Sequence, residues 1–257
     1  MRVAVASLLG LPLFVWPFLG RPLPPDAPAL ALALGAAGGL LLLELGTRRL
    51  DARRLALLAV LAAIDTGLRL AVLQGIGGFS PIFFLVLCAG WVFGPSYGFL
   101  VGAFSILVSA LAEGGVGPWL PYEVFGCGWV GVAAGLAGLG FRHGGGAAGG
   151  FPGWRPLAVL AAVGAATGWV YGALLDVQVW TTAYAGDLGA GWRSGMDTLT
   201  ALRHFGRFYL LTSLAYDTFR AVGNAAMVLL LGVPVLAGLA RVRSRLSFEV
   251  VPGEPGG

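Results

Sequence analysis

The sequence predicts an all-α polytopic membrane protein, and three observations predict it. Of 257 residues, 58% are hydrophobic and only 11% are charged, under half the charge with which soluble domains cover their surfaces. Mean hydropathy is +0.86. The apolar residues come in long Gly-, Ala- and Leu-rich runs, whereas a membrane barrel would show short alternating segments. In lipid such runs satisfy their backbone only as helices.

About eight transmembrane helices follow, at 3–20, 28–45, 55–73, 81–93, 97–112, 122–141, 156–176 and 209–240, against the roughly 20 residues a helix needs to cross hydrocarbon. The first begins after Arg2 like a signal peptide, but no small-x-small cleavage site ends it, and Trp16-Pro17-Phe18 reads as an interfacial anchor. The stretch 81–112 is either one kinked helix or two short ones broken at Gly94-Pro95. Arginine decides between them. Clusters stand at Arg48, Arg49, Arg53 and Arg54, at Arg142 and Arg155, and at Arg241, Arg243 and Arg245. Arginine-rich segments stay in the cytoplasm, so an even number of crossings must separate each pair of clusters, which requires two helices in 81–112. Both termini are then cytoplasmic. The loops 74–80, 113–121 and 177–208 fall outside, and the Gly-rich segment 143–153 is a mobile inner linker.

The residue inventory excludes several chemistries. All 16 basic residues are arginine, so no P-loop lysine, Schiff-base lysine or Ser–Lys pair exists. If ATP is used, a partner subunit binds it, and no cofactor is expected on this chain. Cys88 and Cys127 form no CxxC, and His143 and His204 are the only histidines; neither a disulfide framework nor a metal site is indicated. The sequence pI near 9.5 reflects inner-face arginines rather than a nucleic-acid footprint.

Small residues recur at helical spacing: Gly90, Gly94, Gly98 and Gly102, continued by Ser105 and Ser109; Gly164, Gly168 and Gly172; and Ala59 with Ala63. In membranes such series let helix backbones approach closely. They serve either internal packing or docking of another subunit, and docking suits Ala59/Ala63 better because that helix is otherwise coated with Leu and Val.

Charge at membrane depth is costly and therefore informative. Asp65 and Arg69 stand four apart on the third span, in the favourable acid-to-base order. Asp217, Arg220 and Asn224 share one face near the outer end of the last span. Glu113, Glu123 and Asp176 also fall at outer ends, among the aromatics Phe79, Trp119, Tyr122, Trp180, Tyr184, Trp192 and Tyr216. Either Asp65–Arg69 and Asp217–Arg220 are self-satisfied pairs that only orient helices, or they line an outward-facing polar cavity in which aromatics stack on a flat ligand.

The stretch GGFSPIFFLVLCAGWVFGPSYGFLVGAFSILVSALAEGGVGPWLPYEVFGCGWVG (77–131) and the later LLTSLAYDTFRAVGN (210–224) resemble the substrate-binding S component of energy-coupling factor (ECF) vitamin transporters, most like the cobalamin-type group. The resemblance covers about 55–240. It implies a six-helix core at 51–241, preceded by a two-helix extension at 1–50 and followed by a cytoplasmic tail at 242–257. S components are non-enzymatic binders of vitamins or their precursors in the prokaryotic cell membrane. They join a transmembrane coupling subunit and two cytoplasmic ATPases, and reorient to deliver substrate. The resemblance matches Ala59 and Ala63 to the family's docking motif for the coupling subunit, and places ligand contacts in the outer loops and outer helix halves.

The expectation is therefore a vitamin-binding subunit with Trp119, Tyr122, Glu123, Asp217, Arg220 and Asn224 as contacts and Arg69 and Trp180 next. A self-sufficient secondary transporter is the alternative, with an intramembrane enzyme behind it.

Overall fold

The computed structural model describes residues 2–21, 26–47, 50–71, 81–113, 115–142, 153–184 and 189–246. The 74–80 loop, nearly all of the 143–153 linker and the tail beyond 246 lie outside them. Among the described residues every regular element is helical: α1 (Arg2–Val15), running into a short 3-10 turn at Trp16–Leu19, α2 (Asp26–Gly46), α3 (Ala52–Ala71), α4 (Ile82–Phe93), α5 (Pro95–Glu113), α6 (Leu120–Arg142), α7 (Trp154–Thr182), α8 (Thr198–Thr212) and α9 (Leu214–Leu246).

Six helices are long and apolar enough to cross a membrane, a set that leaves out α3, α4 and α8. The architecture is that of a polytopic membrane protein. In α3, Arg53, Arg54, Asp65 and Arg69 dilute the apolar run. At 12 residues, α4 spans only about 18 Å at 1.5 Å per residue. Its role explains its length. Ile82 through Val92 are all buried, and α3, α5, α6, α7 and α9 all pack on it, so α4 is apolar on every side because protein surrounds it.

The break between α4 and α5 falls at Gly94, whose φ of 104° is open to glycine and strained for other residues. Proline follows as the first residue of α5, where its missing N–H costs nothing. Beyond this corner the glycine series makes α4, α5 and α6 touch through their backbones. A Cβ on Gly98 would stand 2.7 Å from the Cα of Gly90, and one on Gly131 2.8 Å from the Cα of Gly98. The second series does the same between α7 and α9, where a Cβ on Gly168 would stand 2.8 Å from the Cα of Ala221. Both glycine series are internal packing seams.

The N-terminal helices are part of the same body. Ala6, Leu13 and Phe14 of α1 and Ala33, Ala36 and Leu40 of α2 belong to the hydrophobic core built by α4–α6. Phe14 meets the Tyr122 ring edge-on at 5.2 Å and the Trp129 ring at 5.0 Å. At their far end Arg2 approaches Glu44 at 3.8 Å.

Two expected boundaries need correction. The outer loop foreseen at 177–208 is mostly helix, because α7 continues to Thr182 and α8 begins at Thr198. Val177, Val179 and Trp180 prolong the apolar pattern of α7, and Gln178 donates to Thr182 at 2.9 Å. Asp197 starts α8 by accepting from the amides of Leu199 and Thr200, both at 3.1 Å, a helix-capping arrangement. The span foreseen at 209–240 also breaks, at Ser213, so that α8 and α9 are separate. α8 buries Ala201 and Phe208 while Leu199, Leu202, Leu210 and Leu211 remain exposed.

Candidate functional site

The expected site residues collect at the end of the bundle where α3 and α5 finish and α6 and α9 begin. Arg69, in the last turn of α3, lies 3.5 Å from Glu113 at the end of α5 and 3.4 Å from Glu123 in the first turn of α6. The pairing with Asp65 expected from spacing is not formed. Two carboxylates from neighbouring helix ends reach Arg69, while Asp65 sits one turn deeper against α5, fully buried, with the Ser105 hydroxyl as its hydrogen-bonding neighbour.

The second ionic group is the Asp217–Arg220 pair on the first turns of α9. Here the expected pairing holds. Gly172 makes room for it, since any side chain there would strike the Asp217 carboxylate. Arg220 also donates to the Gly168 carbonyl at 3.5 Å, and one turn on the Asn224 amide donates to the Gly164 carbonyl at 3.1 Å. The glycine series of α7 therefore supplies both the space for the α9 polar face and part of its hydrogen bonding. Asp217 and Asn224 are buried and do not face outward from the bundle.

Tyr171 joins the two groups. Its ring lies under the Arg220 guanidinium, 5.5 Å from the centroid, and edge-on to Phe83 at 4.7 Å. Its hydroxyl is within electrostatic reach of Glu123, Arg69 and Arg220. Asp176 and Tyr209 complete the belt beside Asp217. The Ser213 hydroxyl neighbours Asp176 and that of Tyr209 neighbours Asp217, yet Asp176 Oδ2 and Asp217 Oδ2 are buried with no donor in full hydrogen-bond geometry among the described residues. Such acceptors are costly unless something supplies a donor. Sequence reasoning missed Tyr171 and Tyr209. The signal for Tyr171 was its place directly before Gly172 in a small-residue seam, and Tyr209 was hidden by the span drawn across Ser213.

Three expected contacts stand elsewhere. Trp119 is half exposed and covers Gly117. Tyr122 is buried, and its hydroxyl accepts from the Trp16 indole at 3.3 Å. Trp180 is only 1% exposed; its indole donates to the Ala190 carbonyl at 2.6 Å, and its ring packs on Phe18 and Phe205. Tyr122 and Trp180 thus anchor the N-terminal segment. The same segment fastens the stretch before α8, since Trp192 donates to the Pro17 carbonyl at 3.3 Å and Thr198 to that of Phe18 at 2.8 Å. Phe79 lies outside the described residues. Ala59 and Ala63 are exposed on α3, in line with Ala52, Ala56 and Gly67.

A cavity of about 420 Å³ lies at the opposite, arginine-rich end, lined by Glu44, Arg54, the 93–97 corner and Arg243. Comparison with known proteins gives no matching family model, no similar curated protein and no similar solved structure.

Proposed function

We propose that this chain is the substrate-binding S component of an ECF-type importer. It captures a vitamin or vitamin precursor, cobalamin among them, from outside and delivers it by reorientation. In this reading it spans the membrane eight times, with α3 and α4 completing the six long helices and both termini in the cytoplasm. ATP is bound by two partner ATPases, and the coupling subunit docks on the exposed Ala59/Ala63 face of α3.

One observation carries the reading: the belt between α3, α5, α6, α7 and α9 holds the buried acceptors Asp176 Oδ2 and Asp217 Oδ2, with no donor in full hydrogen-bond geometry among the described residues, beside the planar donor fork of Arg220. A ligand rich in amide or hydroxyl groups supplies donors to the carboxylates and acceptors to Arg220. The partly exposed Arg69, Glu113 and Glu123 stand at the rim and exchange their mutual contacts for the ligand. The test is mass spectrometry of small molecules co-purifying with the detergent-solubilised chain. A vitamin-like molecule retained by wild type and lost in Arg220→Ala, with helicity and insertion intact, supports the proposal. Equal retention by both refutes Arg220's role, and uptake that needs no ATPase refutes the class.

A second reading, a self-sufficient secondary carrier, is favoured by Asp65. A fully buried carboxyl beside the Ser105 hydroxyl suits a coupling-ion or proton site, since intramembrane acids mark such pathways. In ATP-free vesicles holding this chain alone, gradient-driven uptake abolished by Asp65→Asn decides for the carrier, and no uptake decides against it.

A further inference from the structure

The cavity at the arginine-rich end plays no part in the proposed vitamin site and lies at the other end of the bundle. Four parts of the chain wall it: Glu44 from the last turn of α2 with Leu50 just beyond, Arg54 in the first turn of α3, Phe93 to Tyr97 and Leu100 around the α4–α5 corner, and Arg243 near the end of α9. We propose that it binds an organic phosphate: the head group of an anionic phospholipid or a soluble phosphate ester of similar size.

The charge of the walls selects an anion. Among the described residues the walls carry two guanidinium groups and one carboxylate, and that carboxylate, Glu44, is also approached by Arg2 at 3.8 Å. Guanidinium groups match the oxygens of a phosphate two at a time. Both arginines are placed by the chain. Arg243 donates to the Val92 carbonyl at 2.8 Å, which fixes its guanidinium against the end of α4. The Tyr97 hydroxyl donates to the Arg54 carbonyl at 3.1 Å, which ties the first turn of α3 to α5. Ser96 brings a hydroxyl to the same wall. As a further contribution, the 19-residue α5 starts here behind Gly94, which has no side chain to cap it, so its first amides and its dipole favour negative charge.

The size of the cavity decides between a bare ion and an ester. About 420 Å³ lies within the ~300–1,000 Å³ typical of small-molecule pockets and leaves inorganic phosphate loosely held. Leu50, Phe93, Pro95 and Leu100 supply an apolar surface for the organic part. The glycine corner shapes this wall: the φ of 104° at Gly94 turns the chain sharply between α4 and α5, and residues 93–97 of that turn line the space.

The experiment measures thermal unfolding of the full chain in a neutral detergent. It adds phosphatidylglycerol, phosphatidylcholine or glycerol 3-phosphate to wild type, Arg243→Gln and Arg54→Gln. Phosphatidylglycerol is expected to raise the wild-type midpoint by about 3 °C near saturation, phosphatidylcholine much less, and each Gln variant is expected to lose most of the rise. A rise with phosphatidylglycerol alone assigns the site to lipid, and a comparable rise with glycerol 3-phosphate assigns it to soluble esters. No rise with either, or equal rises in wild type and both variants, overturns the proposal. Should the variants not fold, native mass spectrometry of wild type with equimolar phosphatidylglycerol and phosphatidylcholine replaces them. Preferential retention of the anionic lipid supports the site, and equal retention overturns it.

Discussion

The two ends of the bundle handle charge in opposite ways. At one end Arg69 is enclosed by Glu113 and Glu123, and Arg220 by Asp217, in a belt packed so closely that glycine is required at position 172. At the other end Arg54 and Arg243 stand around about 420 Å³ of open space. The chain therefore does not simply bury charge where it must. It closes one ionic group with internal partners and leaves room beside another. A closed group must exchange its partners to bind a ligand, which suits a gated site, whereas at the other end the space for a ligand already exists.

The largest effect that would test this contrast is at the closed end. Asp217→Ala removes the carboxylate from a buried pair and is expected to cost about 3–5 kcal/mol, read as a fall in the unfolding midpoint; adding Arg220→Met recovers part of it. A loss no larger than that of a surface substitution would show that the belt is not closed. Next, Gly172→Ala forces a methyl group against Asp217 and is expected to cost about 1–3 kcal/mol. By contrast Ser96→Thr, which adds a methyl group at a part-exposed position lining the open cavity, is expected to leave the midpoint unchanged. If both are silent, or both are costly, the difference between the ends disappears. Glu123→Gln comes third at about 1 kcal/mol, because Arg69 keeps Glu113; Glu113→Gln and Glu123→Gln combined should exceed the sum of the single losses.

The smallest effect is local and depends on pH. Hydrogen bonds from the Thr200 side chain and from the Thr200 and Leu199 amides hold the Asp197 carboxyl below its ordinary value. A carboxyl depressed on folding stabilises above its unfolded pKa, and the contribution is lost as pH falls through the folded one. The first turn of α8 is therefore expected to fray in acid below the usual carboxylate range. Amide hydrogen exchange at Leu199 and Thr200 reads this directly. Asp197→Ala should remove the protection at neutral pH, while Asp197→Asn, also a good cap, should keep it without the acid transition.

Much of the fold was legible in the sequence, for reasons that differ between elements. The Gly94-Pro95 break could be read because a positive-φ glycine and a first-turn proline are local requirements. The glycine series could be read as packing seams because close helix approach demands small residues wherever it occurs. What could not be read was partner choice across helices. Nothing local tells Arg69 to turn from Asp65, four residues away, to Glu113 and Glu123 on two other helices. Nor does hydropathy reveal the end of α8 at Ser213, since α8 itself carries Leu210 and Leu211 up to the break and α9 resumes with Leu214. Tyr122 and Trp180 were legible as outer aromatics. Their engagement by Trp16 and Phe18 depends on a contact between residues more than a hundred positions apart.

The central claim is that the closed polar belt faces the outside and the arginine-rich cavity the inside. Both native cysteines are buried, so single introduced cysteines can be read cleanly with a membrane-impermeant thiol reagent. Trp119→Cys at the belt end is expected to label in intact cells, and Ser244→Cys at the end of α9 only after the membrane is opened. Labelling of Ser244→Cys but not Trp119→Cys in intact cells would contradict the account.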